Sequence, residues 1–304
     1  MFLLTPRSLA SLISGLVVLC LNAGSASAQL RTGHSIPGFL GLELGSAPAP
    51  GLHLENMTLL YSADVQANRN GDDVGVNSLS ALSNHSTLSW STPWNILGAR
   101  FVMRAGLPLA TTEMNPHTTE LGTGSLGLGD IYLQPLSLYW EGERHRVNFG
   151  YAYWMDTGSY SASADDNTGK GFDTHEFSLG MTYYPKRWSE WHMSAMTRFE
   201  FHGNVDGLDL DPGGDIVLDW SVGKRTSERW NVGLAGYGVW QTSRDSGLDA
   251  NGNDGFYGTA GVGGEARYSM PQWNGDLVMR GFYEFNAFNR PEGLALFLGL
   301  SYGF

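Results

Sequence analysis

Beyond residue 28, the sequence has no apolar run long enough for a spanning helix, but it repeatedly alternates apolar and polar residues. A helix that crosses a bilayer needs about 20 consecutive apolar residues. Alternation at every second residue instead gives a β-strand one apolar face and one polar face. If such a chain enters a membrane, its strands have to close into a barrel, because no backbone group can be left unpaired there. The alternation is clear in residues 56–66, 99–109, 146–154, 174–184, 191–202, 215–223 and 276–286.

The connections between these segments alternate between short and long. Four more segments, residues 77–92, 126–140, 230–242 and 256–268, have strand composition without a clear face, so we expect about 12 strands. Bacterial outer-membrane barrels have short periplasmic turns and longer extracellular loops. We therefore predict an all-β fold, a transmembrane antiparallel up-and-down β-barrel over residues 52–304 with both termini periplasmic, in preference to a soluble β-sandwich. The expected short turns are 93–98, 141–145, 185–190, 225–229 and 271–274, and the expected long loops are 67–75, 111–125, 156–173, 203–213 and 243–255.

Charge and cysteine content exclude several functions. The formal net charge is −12, which disfavours a nucleic-acid partner because such binding depends on Lys and Arg. Charged residues make up only 16% of the chain, against about 25% in ordinary soluble domains. The single cysteine, Cys20, lies in the leader described next, so the mature chain is expected to have no disulfide, thiol catalysis or cysteine-based zinc site.

Two N-terminal segments differ from the rest. Residues 1–28 have a basic start at Arg7, an apolar stretch and a small-residue end at Ala28, which predicts a signal peptide cleaved before Gln29. Residues 29–51 are rich in Gly, Pro and Ala and lack alternation. This segment is expected either to plug the lumen or to be a mobile leader, and the sequence leaves both open.

The C-terminal residues alternate apolar side chains up to a final Phe304. This pattern resembles the signal that outer-membrane barrels present to their insertion machinery, so that machinery is an expected partner. Outer-membrane lipid and lipopolysaccharide are the expected surroundings. Tryptophans near strand ends are expected to form an interfacial girdle: Trp90, Trp94, Trp140, Trp188, Trp191, Trp230, Trp240 and Trp273.

The polar faces of the predicted strands carry charges of both signs. These side chains are the candidates for lining the lumen, where they would set selectivity for a polar solute. The favoured alternative is that they pair across the lumen and brace a partly closed barrel, because unpaired buried charges are costly. The candidates are Asp64, Arg100, Arg104, Glu176, Arg198, Glu200, Asp219, Arg280 and Glu284.

Catalysis and metal binding have weak sequence signals. His192 and Ser194 have the spacing of the catalytic pair in outer-membrane phospholipases, but Ala195 follows where that pattern has Asn, and the alternation places the pair on the luminal face. Residues 249–255 resemble half a calcium loop, but Asp254 occupies the position where an EF-hand has Gly. We therefore expect no enzyme, no metal site and no cofactor.

Three short motifs resemble the phenol meta-degradation (MetA-pathway) family of outer-membrane transporters. They are Pro48-Ala49-Pro50-Gly51-Leu52 followed by Asn56 and Tyr61, then Gly127-Leu128-Gly129-Asp130 with Pro135, and the terminal Ser301-Tyr302-Gly303-Phe304. The resemblance implies a barrel encoded near aromatic-degradation pathways that passes hydrophobic compounds across the outer membrane. A distant analogy to long-chain fatty acid channels implies an N-terminal plug. No catalytic residue is implied.

The expected function is a channel for passive uptake of small hydrophobic, including aromatic, compounds. The alternatives are a general porin with a mixed-charge lumen, and a non-conducting barrel that braces the membrane or binds at its surface. A lateral gap or an apolar pocket lined by luminal aromatics would favour the first function. A continuous water-filled lumen would favour the porin, and a lumen blocked by paired charges would favour the non-conducting barrel.

Overall fold

The computed structural model describes residues 32–74, 78–115, 126–162, 164, 167–250 and 256–304. The predicted signal peptide lies outside these ranges, and so does most of the loop that resembles a calcium site. None of the helices in the described ranges is long and apolar enough to cross a bilayer.

Twelve long antiparallel strands and one two-residue strand form a single closed sheet. β1 pairs with the last strand, β13, and also with β2, which in turn pairs with β3, so the ring has no open edge. The predicted barrel is therefore confirmed. The strands are β1 (Gly51–Ala67), β2 (Ser78–Ile96), β3 (Ala99–Asn115), β4 (Gly127–Leu128), β5 (Ile131–Glu141), β6 (His145–Met155), β7 (Thr174–Tyr183), β8 (Trp191–His202), β9 (Asp215–Arg225), β10 (Trp230–Gln241), β11 (Gly258–Met270), β12 (Gly275–Phe288) and β13 (Arg290–Gly303), with 3-10 turns at Leu248–Ala250 and Pro271–Trp273.

The outer surface is apolar, as the alternation predicts. Along β7, buried and exposed residues alternate without a break, and Leu179 and Met181 lie on the exposed side. Leu294 and Leu298 are exposed along β13. Such an apolar band around a closed barrel matches the hydrocarbon layer of a membrane.

The two ends of the barrel differ. We call the end with the connections 67–78, 115–131, 155–174, 202–215 and 241–258 the long-loop end, and the opposite end the short-turn end. Trp94, Trp188 and Trp230 are exposed near the short-turn end, and Trp240 is exposed near the long-loop end. These are the positions at which interfacial aromatics are expected.

Two predicted boundaries were wrong. β2 continues through the predicted turn at 93–98 as far as Ile96, and the turn consists of Leu97 and Gly98, both with positive φ. A register shift between Ser91 and Asn95 accommodates Pro93, which has no N–H to donate to the ladder. β3 likewise runs on to Asn115, into the predicted loop 111–125.

The face of β1 also differs from the prediction. Its apolar residues Met57 and Tyr61 point inward, where Met57 is fully buried, and the polar residues that alternate with them in 56–66 point outward. Asp64 is therefore exposed on the outer side rather than lining the lumen. The reason is that apolar side chains of the N-terminal segment fill the lumen against β1, so the apolar face of this strand packs inward. On the outer side, the amides of Asn56 and Asn84 satisfy each other through reciprocal hydrogen bonds of 2.8 and 2.9 Å.

The first described residue, Thr32, lies at the long-loop end, where Lys170 Nζ donates to its carbonyl oxygen at 2.8 Å. Phe304 lies at the short-turn end, where its N–H donates to Leu52 O at 2.9 Å. Thr32 and Phe304 therefore lie at opposite ends of the barrel, and the periplasmic location of the two termini stays a prediction. The chain that precedes β1 runs through the barrel from one end to the other.

Candidate functional site

The lumen of the barrel is occupied by residues 32–50, which we call the luminal segment. It contains no helix or strand, so the barrel wall has to satisfy many of its backbone groups. Both the conformation and the position of this segment are therefore set by side chains that project from the strands.

At the long-loop end, two glutamates hold the segment. Glu200 Oε1 on β8 accepts the backbone N–H groups of His34 and Ser35 at 3.0 and 2.8 Å. Glu176 Oε2 on β7 accepts the Ser35 hydroxyl at 2.7 Å and the Trp154 indole N–H at 3.1 Å. Both glutamates are buried. Their period-two positions on adjacent strands place both carboxylates inside the barrel.

The His34 ring is enclosed by polar and aromatic groups. It bonds to Asp130 Oδ2 at 3.0 Å and to Thr174 Oγ1 at 2.8 Å, and it stacks on Trp154 with a centroid separation of 5.3 Å. Burial lowers the pKa of His34 to about 4, even though Asp130 opposes that shift. The ring is therefore neutral near pH 7, and Nε2–H is the donor to the Asp130 carboxylate.

Two ion pairs hold the middle of the segment. Arg198 and Asp219 are 2.6 Å apart, and they bind Ile36 O and the Gly38 N–H, respectively. Arg280 lies 3.0 Å from Glu265 and donates to the carbonyl oxygens of Gly38 and Phe39. In each pair the two charges neutralise each other, and the same side chains form hydrogen bonds with backbone groups of the segment.

At the short-turn end, the segment supplies the charge. Glu43 of the segment accepts hydrogen bonds from Tyr184 at 2.7 Å, from Asn231 at 3.0 Å and from Arg225 at 2.5 Å. Burial alone would raise the pKa of Glu43, but Arg225 and Tyr184 outweigh it and hold the pKa below its usual value. Arg100 donates to Pro48 O at 3.1 Å, just before β1 begins.

Apolar side chains of the segment pack against one part of the wall. Ile36 and Phe39 contact a core cluster that includes Met57, Val278 and Phe297. Phe39 meets Phe297 edge-to-face at 6.3 Å and the ring of His85 at 5.4 Å. This packing is the reason for the inward apolar face of β1.

Beside the segment, a cavity of about 720 Å³ remains inside the barrel. One side of this cavity is the segment itself, through Phe39, Leu42 and Leu44. The other side includes aromatic wall residues, among them Tyr132 and Trp154. Arg104 adds a polar group, and its guanidinium is fixed by Gln134 at 2.6 Å and Tyr139 at 2.8 Å. This is the volume in which a solute can be accommodated.

Eight of the nine predicted lumen residues point into the barrel, and Asp64 does not. Six of the eight bind the luminal segment directly, a role that the sequence did not reveal for them individually. Arg104 lines the cavity, and Glu284 is buried between Tyr61 and Tyr237, whose hydroxyls donate to it at 2.6 and 3.0 Å. The six that bind the segment are Arg100, Glu176, Arg198, Glu200, Asp219 and Arg280.

Sequence reasoning missed several residues of the site. Glu265 lies in a glycine-rich strand whose face was ambiguous, but it is directly opposite Arg280 in the β11–β12 register. His34, Glu43 and Asp130 lie outside regular alternation, so no periodic signal marked them. The paired Glu265–Arg280 register could have been found only by first aligning the two strands.

His192 and Ser194 both face inward, as expected, but they bind different partners. His192 Nε2 is 2.9 Å from Asn231 Oδ1, and Ser194 Oγ is 3.0 Å from Thr182 Oγ1. Among the hydrogen bonds of the described residues, none joins the imidazole to the hydroxyl that it would have to activate.

Comparisons with known proteins found one matching family and several similar solved structures. The sequence profile of a family described as "Putative MetA-pathway of phenol degradation" matches residues 63–300. The COG4313 outer membrane channel from Pseudomonas putida F1 is similar in structure, with a TM-score of 0.76 and 14% identity over 89% of this chain and 100% of that chain. The NanC porin gives a TM-score of 0.45 and 9% identity over 83% and 100% of the two chains. A deltaS2 mutant of the TodX monoaromatic hydrocarbon channel gives 0.43 and 12% over 87% and 93%. No curated protein sequence matches this chain.

Proposed function

This chain belongs to that phenol-degradation family, and on that premise we propose that it is an outer-membrane channel for passive uptake of small hydrophobic, including aromatic, compounds. The fold is that of an outer-membrane barrel, which is consistent with this role. The family's description concerns phenol degradation, which supports an aromatic substrate class.

The observation that carries the proposal is the cavity beside the luminal segment. Its volume of about 720 Å³ falls within the range of about 300–1,000 Å³ that is usual for small-molecule sites. Apolar and aromatic side chains, including Leu42, Tyr132 and Trp154, line part of it, and charged side chains such as Glu55 and Arg146 line the rest. An apolar solute gains free energy by leaving water for such a lining, at about 25 cal/mol per Å² of buried apolar surface.

We further propose that the luminal segment is the plug of this channel. It runs from Thr32 near the long loops to Pro48 near the short turns, so it obstructs the direct path along the barrel axis. Side chains of the wall, rather than the backbone of a neighbouring strand, hold the segment. These hydrogen bonds can break one at a time, without disruption of a whole strand pairing. Displacement of the segment would join the cavity to both ends of the barrel.

The arrangement of charges argues against a general porin. Arg198, Arg280 and Arg290 are buried and paired with Asp219, Glu265 and Glu284, respectively. Charges that neutralise one another within the wall offer no selective path to a hydrophilic solute. The same pairs favour a second candidate, a non-conducting barrel braced by its own segment.

Uptake into liposomes tests the proposal. Residues 29–304 and residues 51–304 are each refolded into liposomes, and entry of a radiolabelled monoaromatic compound is compared with entry of a labelled sugar. We expect the aromatic compound to enter selectively, and removal of the segment to increase its rate. Equal entry of both solutes would support a porin. No entry with either chain, although both barrels are folded, would support the non-conducting barrel.

A matched pair of tryptophan variants tests the cavity itself. Trp154 lines the cavity, whereas Trp240 is exposed near the long-loop end. We expect Trp154→Ala to change the relative uptake rates of aromatic compounds of different size, and Trp240→Ala to leave them unchanged. An equal response of the two variants would rule out the cavity as the solute path.

A further inference from the structure

We propose that Glu200, His202 and Asp215 bind a divalent transition-metal ion at the long-loop end of the lumen, with Zn²⁺ as the best match. One nitrogen or oxygen atom from each of these residues lies within 4.8 Å of the others. The inference goes beyond the proposed transport function and does not depend on it. The sequence predicted no metal site, because these residues come from two strands and no short spacing connects them as a motif.

The first support for the site is a pair of buried oxygens without hydrogen-bond donors. Among the described residues, no donor reaches Glu200 Oε2 or Asp215 Oδ1, although both carboxylates are at least 98% buried. A buried carboxylate oxygen without a partner is costly. A cation placed between the two carboxylates would remove that cost for both.

The second support is the geometry of His202. Its Nε2 is 2.9 Å from Asp215 Oδ2. Two ligands of one ion, each bonded at about 2.0–2.2 Å, are about 3 Å apart in octahedral coordination and about 3.4 Å apart in tetrahedral coordination. The observed separation is close to the octahedral value. Binding would also require Glu200 to move towards the other two residues, which would give three protein ligands and leave positions for water.

The third support is the hydrogen-bond chain behind His202. His202 Nδ1 is 2.7 Å from Thr174 Oγ1, and Thr174 Oγ1 is 2.8 Å from His34 Nδ1. These contacts hold the His202 ring so that Nε2 points at Asp215. Metal-binding histidines are usually oriented in this way, by a hydrogen bond to the second ring nitrogen.

The fourth support is the space at Gly33. A Cβ atom at this position would lie 2.6 Å from Asp215 Oδ2 and closer still to Glu200 Oε2. The absence of a side chain therefore leaves the gap between the two carboxylates open. The Gly33 N–H donates to the Tyr257 hydroxyl at 2.9 Å, which keeps the backbone beside the gap, and Tyr257 also lies close to Asp215.

The charges around the site also favour a cation. Four carboxylates, those of Glu176, Asp130, Glu200 and Asp215, share this region of the lumen with the ammonium of Lys170. The guanidinium of Arg198 also acts on Glu176 and Glu200, but it is bound to a fifth carboxylate, that of Asp219, at 2.6 Å. Imidazole combined with carboxylates selects Zn²⁺ or Mn²⁺ over Mg²⁺, which prefers oxygen ligands alone.

Metal retention by the purified protein tests the proposal without any transport assay. Residues 29–304 are refolded in detergent, stripped with EDTA, incubated with Zn²⁺, desalted and analysed by plasma mass spectrometry. We expect about one Zn²⁺ per chain, and at least tenfold weaker binding for His202→Gln and Glu200→Gln. Asp211→Asn, which removes an exposed carboxylate four residues from Asp215, should bind like the unmodified chain.

Two further measurements keep the test decisive if a ligand variant fails to fold. Gly33→Ala keeps all three ligands but fills the gap, and it is expected to abolish retention while the barrel still shows heat-modifiable gel mobility. Co²⁺ bound to the unmodified chain should give the visible absorption of a low-coordinate nitrogen and oxygen site. Failure of the unmodified chain to retain Zn²⁺ or Mn²⁺, or equal retention by His202→Gln and the unmodified chain, would overturn the proposal.

Discussion

At the residue scale, Arg198 shows how a buried charge in the lumen stabilises the folded barrel. Its guanidinium is buried, contacts Asp219 at 2.6 Å and donates to Ile36 O at 3.1 Å. Arg198→Met would leave the Asp219 carboxylate buried without its cation. We expect the barrel to lose about 3–5 kcal/mol of unfolding free energy, measured by denaturant titration in detergent.

An exposed ion pair provides the control for Arg198. Lys224 and Glu190 are 3.4 Å apart, with 38% and 65% of their side chains exposed. Lys224→Met should therefore change stability by less than about 1 kcal/mol. Equal losses in the two variants would show that burial does not govern these pairs. The double variant Arg198→Met/Asp219→Asn should recover part of the loss, because no unpaired charge remains.

Asp156, in the long connection after β6, gives a prediction for pH. Burial, followed by the nearby charges of Asp130 and Asp206, raises the pKa of Asp156 to about 6. The folded loop therefore binds a proton more tightly than the unfolded chain, whose Asp pKa is about 3.9. The loop should become more stable as pH falls from 7 through 6 towards 4, and less stable as pH rises.

Hydrogen exchange in residues 156–173, corrected for the intrinsic pH dependence of exchange, would measure this effect. Asp156→Asn should slow exchange at pH 8 and flatten the dependence on pH. Asp72→Asn, in a different long connection, should leave exchange in residues 156–173 unchanged. A pH dependence that survives in Asp156→Asn would assign it to another group.

At the scale of elements, the luminal segment lies directly against the backbone of the wall at Gly45. A Cβ atom there would lie 2.5 Å from the Thr182 backbone nitrogen and 2.6 Å from the Arg146 carbonyl oxygen. Strand backbone cannot move aside as a flexible side chain can, so Gly45→Ala should displace this end of the segment. We expect faster amide exchange over residues 43–50, with a stability loss of about 1–3 kcal/mol.

Gly281→Ala is the matched control, because the nearest atom to a Cβ at position 281 is 3.8 Å away. It should leave exchange in the segment unchanged. If both substitutions loosen the segment equally, close approach to the wall is not what positions it.

Periodic elements could be predicted from the sequence, and the segment could not. β8 has the predicted bounds, and its inward residues Arg198 and Glu200 were identified because the opposite face of the strand is apolar apart from Thr197. Period-two alternation carries this information only when the outside is lipid and the inside is polar. On β1 the inside is partly apolar, so the same rule gave the wrong face for Asp64.

The contents of the lumen depend on contacts between residues that are distant in sequence. Glu200 and Ser35 are 165 positions apart, and Arg280 and Gly38 are 242 positions apart. Neither partner's local sequence indicates the other. Glycines and prolines in residues 29–51 excluded a strand but could not distinguish a plug from a mobile leader.

For the molecule as a whole, the predicted role of Phe304 in delivery to the membrane can be tested separately from folding. Its side chain is 71% exposed and touches Tyr302 edge-to-face at 5.0 Å, so it contributes little to the barrel. Phe304→Ala should refold in detergent like the unmodified chain but reach the outer membrane of cells in smaller amounts. Quantitative blotting of membrane fractions would measure this difference.

The control for Phe304 is Leu294→Ala, which removes an exposed apolar side chain from the same strand. Its level in the outer membrane should stay close to that of the unmodified chain. Equal depletion of the two variants would mean that general apolar content, rather than the terminal residue, determines delivery.

The pairing of β1 with β13 also encloses the luminal segment. The ring of strands is closed only when these two strands pair. The segment binds to wall residues on several other strands, such as Glu176 and Arg280, so closure of the ring surrounds it. Once enclosed, the segment can leave only lengthwise through an end of the barrel. The closed ring therefore retains it by blocking every sideways exit, in addition to the hydrogen bonds and packing that hold it.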